Sequence, residues 1–270
     1  MQRIFQALVL FALLGTGAYA AGNLPPNTAI GTDKECIQCH PRQFKQWQAS
    51  AHAKKQPVAG CIACHGGLHG EAASRSRRDR ACAACHGGEQ GAVVHSYASS
   101  KHGVLMRLEE NTYDWSKPLA MANYRAPGCS YCHMHQGSHD VSSGVRADAM
   151  NREQPVPDEM SAVCRDCHAP RYTSRLFDNG NAMLEIGRKK IREAEALVRQ
   201  AALEMGSVEQ AAIHRQFQKM RQHLQNVRLG AGHQSPDYQW WHGQPALDGD
   251  LLRIRGMIDE YRRKHPAKPG

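Results

Sequence analysis

The ten cysteines of this 270-residue chain fall into five pairs, each with two residues between its members and a histidine directly after the second. They are Cys36 and Cys39 before His40, Cys61 and Cys64 before His65, Cys82 and Cys85 before His86, Cys129 and Cys132 before His133, and Cys164 and Cys167 before His168. Residues three apart share a face of a helical turn. Two thiols so placed can add to the vinyl groups along one porphyrin edge while the adjacent imidazole reaches the iron, which is the attachment chemistry of c-type haem. A zinc reading needs two pairs per metal, and five pairs leave one over. Because the motifs use every cysteine, none remains for a disulfide or a catalytic thiol. The expected cofactors are five covalently bound haem c groups with their iron.

That many porphyrins decide the fold class. Only 6% of the residues are aromatic and the mean hydropathy is −0.59, thin material for an ordinary core. The haems supply the missing apolar surface, so the chain is expected to be mainly α, a multihaem cytochrome c with little sheet, the haem stack as core and a C-terminal helical bundle. Without haem it is not expected to fold. The net charge of +9 would ordinarily raise the question of nucleic acid. Five haems bring about ten propionate charges, which moves the holoprotein close to neutral and assigns Lys and Arg to propionates and solvent. No nucleic-acid partner is expected.

Residues 1–20 read as a signal peptide: Arg3, an apolar run from Ile4 to Leu14, and Ala18-Tyr19-Ala20 as a cleavage site after Ala20. The run is too short to span a bilayer. Export to the periplasm suits haem attachment, which bacteria carry out beyond the cytoplasmic membrane. Residues 21–31, with Pro25-Pro26, read as a linker, 32–170 as a pentahaem domain and 171–270 as a C-terminal helical region packing on the haem array.

In that last region Leu184, Gly187, Ile191, Ala194, Val198, Ala201 and Met205 recur at steps of three and four, the mark of an amphipathic helix. Gly206 ends it, and Ser207-Val-Glu-Gln210 reads as a capping box opening a second helix with Ile213, Phe217, Met220, Leu224 and Val227, which stops near Gly230. Leu247, Leu251, Ile254, Ile258 and Tyr261 give a third. The intervening stretch from Gly232 to Gly243 reads as a loop rich in Trp, Tyr and His.

Eleven of the sixteen histidines follow no cysteine pair: His52, His69, His95, His102, His135, His139, His214, His223, His233, His242 and His265. They suffice to cap every iron. His69, between two closely spaced motifs, is a candidate second ligand, whereas His135, two residues beyond a proximal ligand, reads as structural.

Three stretches resemble known families. Cys36-Ile-Gln-Cys39-His40 running into Trp47 and Ser50-Ala51-His52-Ala53 resembles the opening of cytochrome c-554 type tetrahaem proteins, which implies His52 as an axial ligand. From Cys82 to His168 the chain resembles the C-terminal haem region of hydroxylamine oxidoreductases and, more loosely, of pentahaem nitrite reductases. The likeness rests on His95-Ser-Tyr97-Ala-Ser-Ser-Lys101-His102-Gly103, on Asn123 to Met134, on Ser138-His139-Asp140 and on the last motif. It implies His102 and His139 as axial ligands, with His95 a further candidate, and either His233 or His242 from the segment that returns to the haems in those families. In hydroxylamine oxidoreductases that segment also carries a tyrosine cross-linked to a neighbouring subunit's haem, and Tyr238 is the nearest match.

Two functions follow. One is electron transfer along closely spaced haems, each iron holding two histidines. The other is an enzyme with one open iron acting on hydroxylamine, nitrite or nitric oxide. The open iron would be that of His40, with His52 capping a neighbour. The chain departs from both enzyme families: no motif ends in Lys as in the nitrite reductases, there are fewer motifs than in hydroxylamine oxidoreductases, and Gly87 to Val93 lacks their Asp-His pair. Electron transfer in nitrogen-compound respiration or oxidation is the expected role. A membrane quinol-oxidising cytochrome or a soluble periplasmic cytochrome is the expected partner, and the resemblance implies a homodimer or homotrimer.

Overall fold

The computed structural model describes residues 27–87, 91–118, 121, 124–141, 145 and 158–266. The signal peptide and most of the linker lie outside the described residues. Among the described residues ten short helices come first: α1 (Asp33–Cys39), α2 (Pro41–Ala49), α3 (Ala51–Lys54), α4 (Cys61–His65), α5 (Ala72–Arg77), α6 (Arg80–Ala83), α7 (Ala92–Ala98), α8 (Lys101–Glu109), α9 (Cys129–His133) and α10 (Asp158–Arg165). Four more follow: α11 (Pro170–Glu204), α12 (Ser207–Gly232), α13 (Pro236–His242) and α14 (Gln244–Lys264). Among the described residues there is no strand, only an antiparallel bridge between Ala29 and Leu68. With it come hydrogen bonds from Ile30 N–H to Gly67 O and from His69 N–H to Thr28 O, at 2.8 and 3.1 Å, so the end of the expected linker is pinned beside His69.

The long helices pack through the stripes read from sequence. Leu184, Ala194, Val198 and Ala201 of α11, Ile213, Phe217, Met220 and Val227 of α12, and Leu247, Ile254 and Ile258 of α14 form one buried cluster, with Ile191, Leu224, Leu251 and Tyr261 packed on it. The first helix begins at Pro170, fourteen residues before its stripe, because Pro is suited to the first helical position. The capping box is not formed. Gly206 is the N-cap of α12, and the Gln210 amide instead donates to Ala202 O (3.0 Å) and Met205 O (2.7 Å), tying the start of α12 to the end of α11. The expected loop after α12 contains α13, whose N-cap Ser235 accepts from Tyr238 N–H and which starts on Pro236.

Among the described residues the haem-motif segment has no comparable core. Helices α1 to α6 and α9 bury no residue. Among the described residues its apolar cluster is Met106, Tyr113 and Trp115, with Tyr97 and Tyr124 against it. The two segments meet where α7 packs on α12.

Candidate haem-binding site

Each motif histidine faces one other histidine. Ring centres are 6.4 Å apart for His40 and His69, 5.9 Å for His65 and His139, 6.1 Å for His86 and His52, 6.5 Å for His133 and His233, and 6.0 Å for His168 and His102. Such gaps are too wide for stacked rings in contact. Two metal–imidazole bonds of about 2.0–2.1 Å plus roughly 1.1 Å from each nitrogen to its ring centre add to about 6 Å, so the spacing fits one iron between each pair. Among the described residues no group of three or more His, Cys, Asp or Glu is arranged to hold a bare ion.

Local geometry turns the ring nitrogens the right way. Gly66, in the left-handed region at φ +73°, ends α4 directly after His65. The chain then turns back so that Ala72 O lies 3.1 Å from His65 Nδ1. His139 Nδ1 lies 3.1 Å from Gly137 O. His233 Nδ1 lies 2.7 Å from Ser96 Oγ, and because Ser96 gives its own proton to Val93 O (2.8 Å), the serine must accept from His233. A proton held on Nδ1 leaves Nε2 free for a metal. Burial holds His52, His65, His102 and His133 below the usual histidine range, and the partner imidazoles add to the effect for His52, His65 and His102. His233 is pushed down to about 4, first by burial and then by His133. These rings are neutral at pH 7, the form that ligates iron.

His95 and His242 are not placed opposite any motif histidine. They face each other at 5.0 Å, and both rings pack on Tyr238, at 5.4 and 4.7 Å. The cause is the turn at Ser235: it lays α13 back over α7 and leaves His233, at the end of α12, next to His133, while His242 is carried to the far end of α13. Tyr238 is buried beneath them, 3% exposed, so its ring is not presented to another subunit. His135, read from sequence as structural, has its Nε2 2.7 Å from an Asp166 carboxylate oxygen that also accepts from Tyr131 at 2.6 Å. That contact joins the interior residues of the fourth and fifth motifs.

Two further joints repeat one design. Asp33, three residues before Cys36, accepts from Ile62 N–H at 2.9 Å, at the start of the helix carrying Cys61. Asp79, three residues before Cys82, accepts from Cys129 N–H at 2.7 Å. A glycine opens each receiving helix, directly before Cys61 and Cys129, and a Cβ on Gly60 or Gly128 would lie 1.8 or 2.5 Å from the carboxylate oxygen. The thiols of Cys36 and Cys61, and those of Cys82 and Cys129, come within hydrogen-bond reach. Cys64 lies near Cys82 and Cys85, and Cys132 near Cys164 and Cys167. The attachment points therefore run in chain order, first motif to fifth, each beside the next. Neither Ser96 nor the two aspartates was singled out from sequence, although Asp-x-x-Cys occurs at both joints.

Comparison with known proteins agrees with this reading. Residues 31–212 match the family described as "Seven times multi-haem cytochrome CxxCH". A probable nitrite reductase–hydroxylamine oxidoreductase fusion protein of Kuenenia stuttgartiensis is 21% identical over 365 aligned positions, covering 86% of this chain and 43% of that protein. The chain thus spans less than half of that relative. A solved hypothetical multiheme protein superposes with a TM-score of 0.58 at 16% identity, over 78% of this chain and 60% of the other. A chain of the Kuenenia stuttgartiensis reducing HAO-like protein complex gives 0.54 at 18% identity, over 88% and 74%.

Proposed function

The chain belongs to the multi-haem cytochrome CxxCH family, and from that premise we propose that it is a pentahaem electron carrier in which every iron is closed by two histidines. The ligand pairs are His40 with His69, His65 with His139, His86 with His52, His133 with His233, and His168 with His102. The observation that carries the reading is that each of the five motif histidines faces one other histidine at the spacing of an iron. Bound haem supplies one-electron chemistry. The chain supplies neutral imidazoles, fixed ring orientations and attachment points in file, which suit electrons entering at one end motif and leaving at the other.

The alternative, an enzyme with an open iron at His40, required that no second imidazole face that ring. His52 does face a neighbour, His86, but His69 faces His40. Kinship with the nitrite reductase–hydroxylamine oxidoreductase fusion supports a place in nitrogen-compound respiration or oxidation, with the carrier serving electrons and not substrate. Among the described residues no helix is long and apolar enough to cross a membrane, and multihaem c-type cytochromes are typically exported. The signal-like N terminus supports a periplasmic address, where a quinol-oxidising or soluble cytochrome would be the partner.

Electron paramagnetic resonance of the ferric holoprotein, with its haem content fixed by intact mass, tests this. Five haems, all low-spin and unchanged by nitrite or hydroxylamine, are expected, and His69→Ala should convert one of the five to high-spin. A high-spin wild-type signal that moves on adding either compound would overturn the carrier reading.

A further inference from the structure

The joint at Asp79 has a chemistry that the carrier reading does not use. Its Oδ1 accepts from Cys129 N–H at 2.7 Å, and Cys82 follows three residues later, so one carboxylate lies against the attachment points of two haems. Two arginines precede it in the chain, yet both turn to Trp115: Arg77 donates to its carbonyl at 2.9 Å and Arg78 lies over its ring at 5.0 Å. The groups that face Asp79 from the surrounding elements are the Tyr97 phenol of α7, Glu110 beyond α8, and Cys82 and Cys129 themselves. The Tyr97 hydroxyl donates to Pro127 O at 2.9 Å. Among the described residues no cation pairs with the carboxylate.

Burial raises the Asp79 carboxyl above its usual range, opposed by the backbone and side-chain hydrogen bonds of Cys129. Once Cys129 is a thioether its sulfur cannot donate, which removes one of the influences that hold the carboxyl down. The residue is half-buried, so protons reach it from solvent. Neither it nor Cys129 is an iron ligand.

We propose that Asp79 is the proton-accepting site coupled to reduction of the haems attached through Cys82 and Cys129. This rests on the carrier reading. The partner cytochrome delivers one electron, ferric iron becomes ferrous, and the Asp79 carboxylate takes one proton from water to become a carboxylic acid. Oxidation returns both. An added electron makes the surroundings more negative and so favours the protonated carboxyl. The corresponding potential falls as pH rises, by up to tenfold in the equilibrium constant per pH unit, or 59 mV for a one-electron couple. Asp33 holds the equivalent place at Cys36 and Cys61, away from the haems attached through Cys82 and Cys129, and serves as the internal comparison.

The test is a spectropotentiometric titration of the holoprotein from pH 5 to 9, for wild type, Asp79→Asn and Asp33→Asn. One or two of the wild-type transitions should fall with pH. In D79N, where the amide oxygen still accepts from Cys129 N–H, those transitions should lose their slope and stay at the acid-limit potential of the wild type. In D33N the slope should persist. A slope that survives in D79N puts the proton on a propionate or elsewhere and overturns the proposal. The reduced-minus-oxidised infrared spectrum is a second measurement: a new carboxylic-acid carbonyl band in wild type that is missing from D79N supports the assignment, and its absence from wild type or its persistence in D79N overturns it. Failure of the carrier reading would show separately, as a high-spin ferric signal or a missing haem before any titration.

Discussion

The haem-motif segment and the four C-terminal helices are built on opposite principles. Helices α1 to α10 are four to nine residues long and most bury nothing, whereas α11, α12 and α14 run 35, 26 and 21 residues and share one apolar cluster. Isolated helices below about 12–15 residues are marginal in water, so the short ones need an external apolar body to hold them. The long ones carry their own. A chain can place its core in a cofactor along one stretch and in its side chains along the next, and the two stretches should then respond differently to loss of the cofactor.

The strongest way to break that contrast is to prepare the chain without haem. Amide hydrogen exchange should be fast throughout 33–133 and remain protected in 184–227 and 247–258. This sharpens the sequence-based expectation that the haem-free chain does not fold at all, because the buried cluster of α11, α12 and α14 involves no haem motif beyond Cys164 at its edge. Loss of protection in both stretches together would show that the helices lean on the haem array. Protection in both would show that the short helices have a core of their own.

Inside the helical part the largest single dependence is polar. Asp250 on α14 is 2% exposed and accepts from His223 Nδ1 at 2.5 Å and Gln216 Nε2 at 2.7 Å, both on α12. Asp250→Ala removes the acceptor of both partners, and leaving such donors unpaired costs about 1–3 kcal/mol. Guanidinium unfolding of the holoprotein followed by far-ultraviolet circular dichroism should show that loss in the helical signal, with the haem spectrum unchanged. An unchanged midpoint would mean that the apolar seam alone sets the stability of this part.

What sequence made legible follows the same division. The three apolar stripes were plain because a helix that buries its own face must repeat every three or four residues, and Leu184, Ile213 and Leu247 each lie where the repeat puts them. The motif histidines were equally plain, since attachment chemistry fixes their spacing. Distal partners were harder. His52, His69, His102 and His139 lie on or near the short helices between motifs, but His233 and His242 flank α13, and only the fold of that helix over α7 decides between them. Its start was marked by Ser235-Pro236, an N-cap followed by a first-turn proline, which the surrounding Trp and Tyr disguised as loop. Ser96, which orients His233 from 137 positions earlier, left no local signal. Asp33 and Asp79 share a spacing to cysteine, yet what each caps lies 29 and 50 residues away. Local rules reach one turn of helix; contacts of that range wait on the fold.

The smallest expected effect lies at the end of the long helices. Arg262 of α14 meets Glu204, the last residue of α11, through Nε and Nη2 at 2.9 and 3.0 Å. Both groups are solvated, and that bidentate contact holds the Glu204 carboxyl below its usual range. Surface pairs of this kind lose most of their attraction to water and salt. Because the folded-state carboxyl is depressed, any stability it gives is present at neutral pH and disappears as pH falls through the acid range of glutamate, about 4. Arg262→Ala should therefore leave the unfolding midpoint within error of wild type at pH 7 in physiological salt, with any residual difference seen only at low salt and lost by pH 3. A clear drop at pH 7 would mean that the last turns of α11 and α14 are held by charge, and that the apolar seam ends earlier than Met205 and Tyr261 indicate.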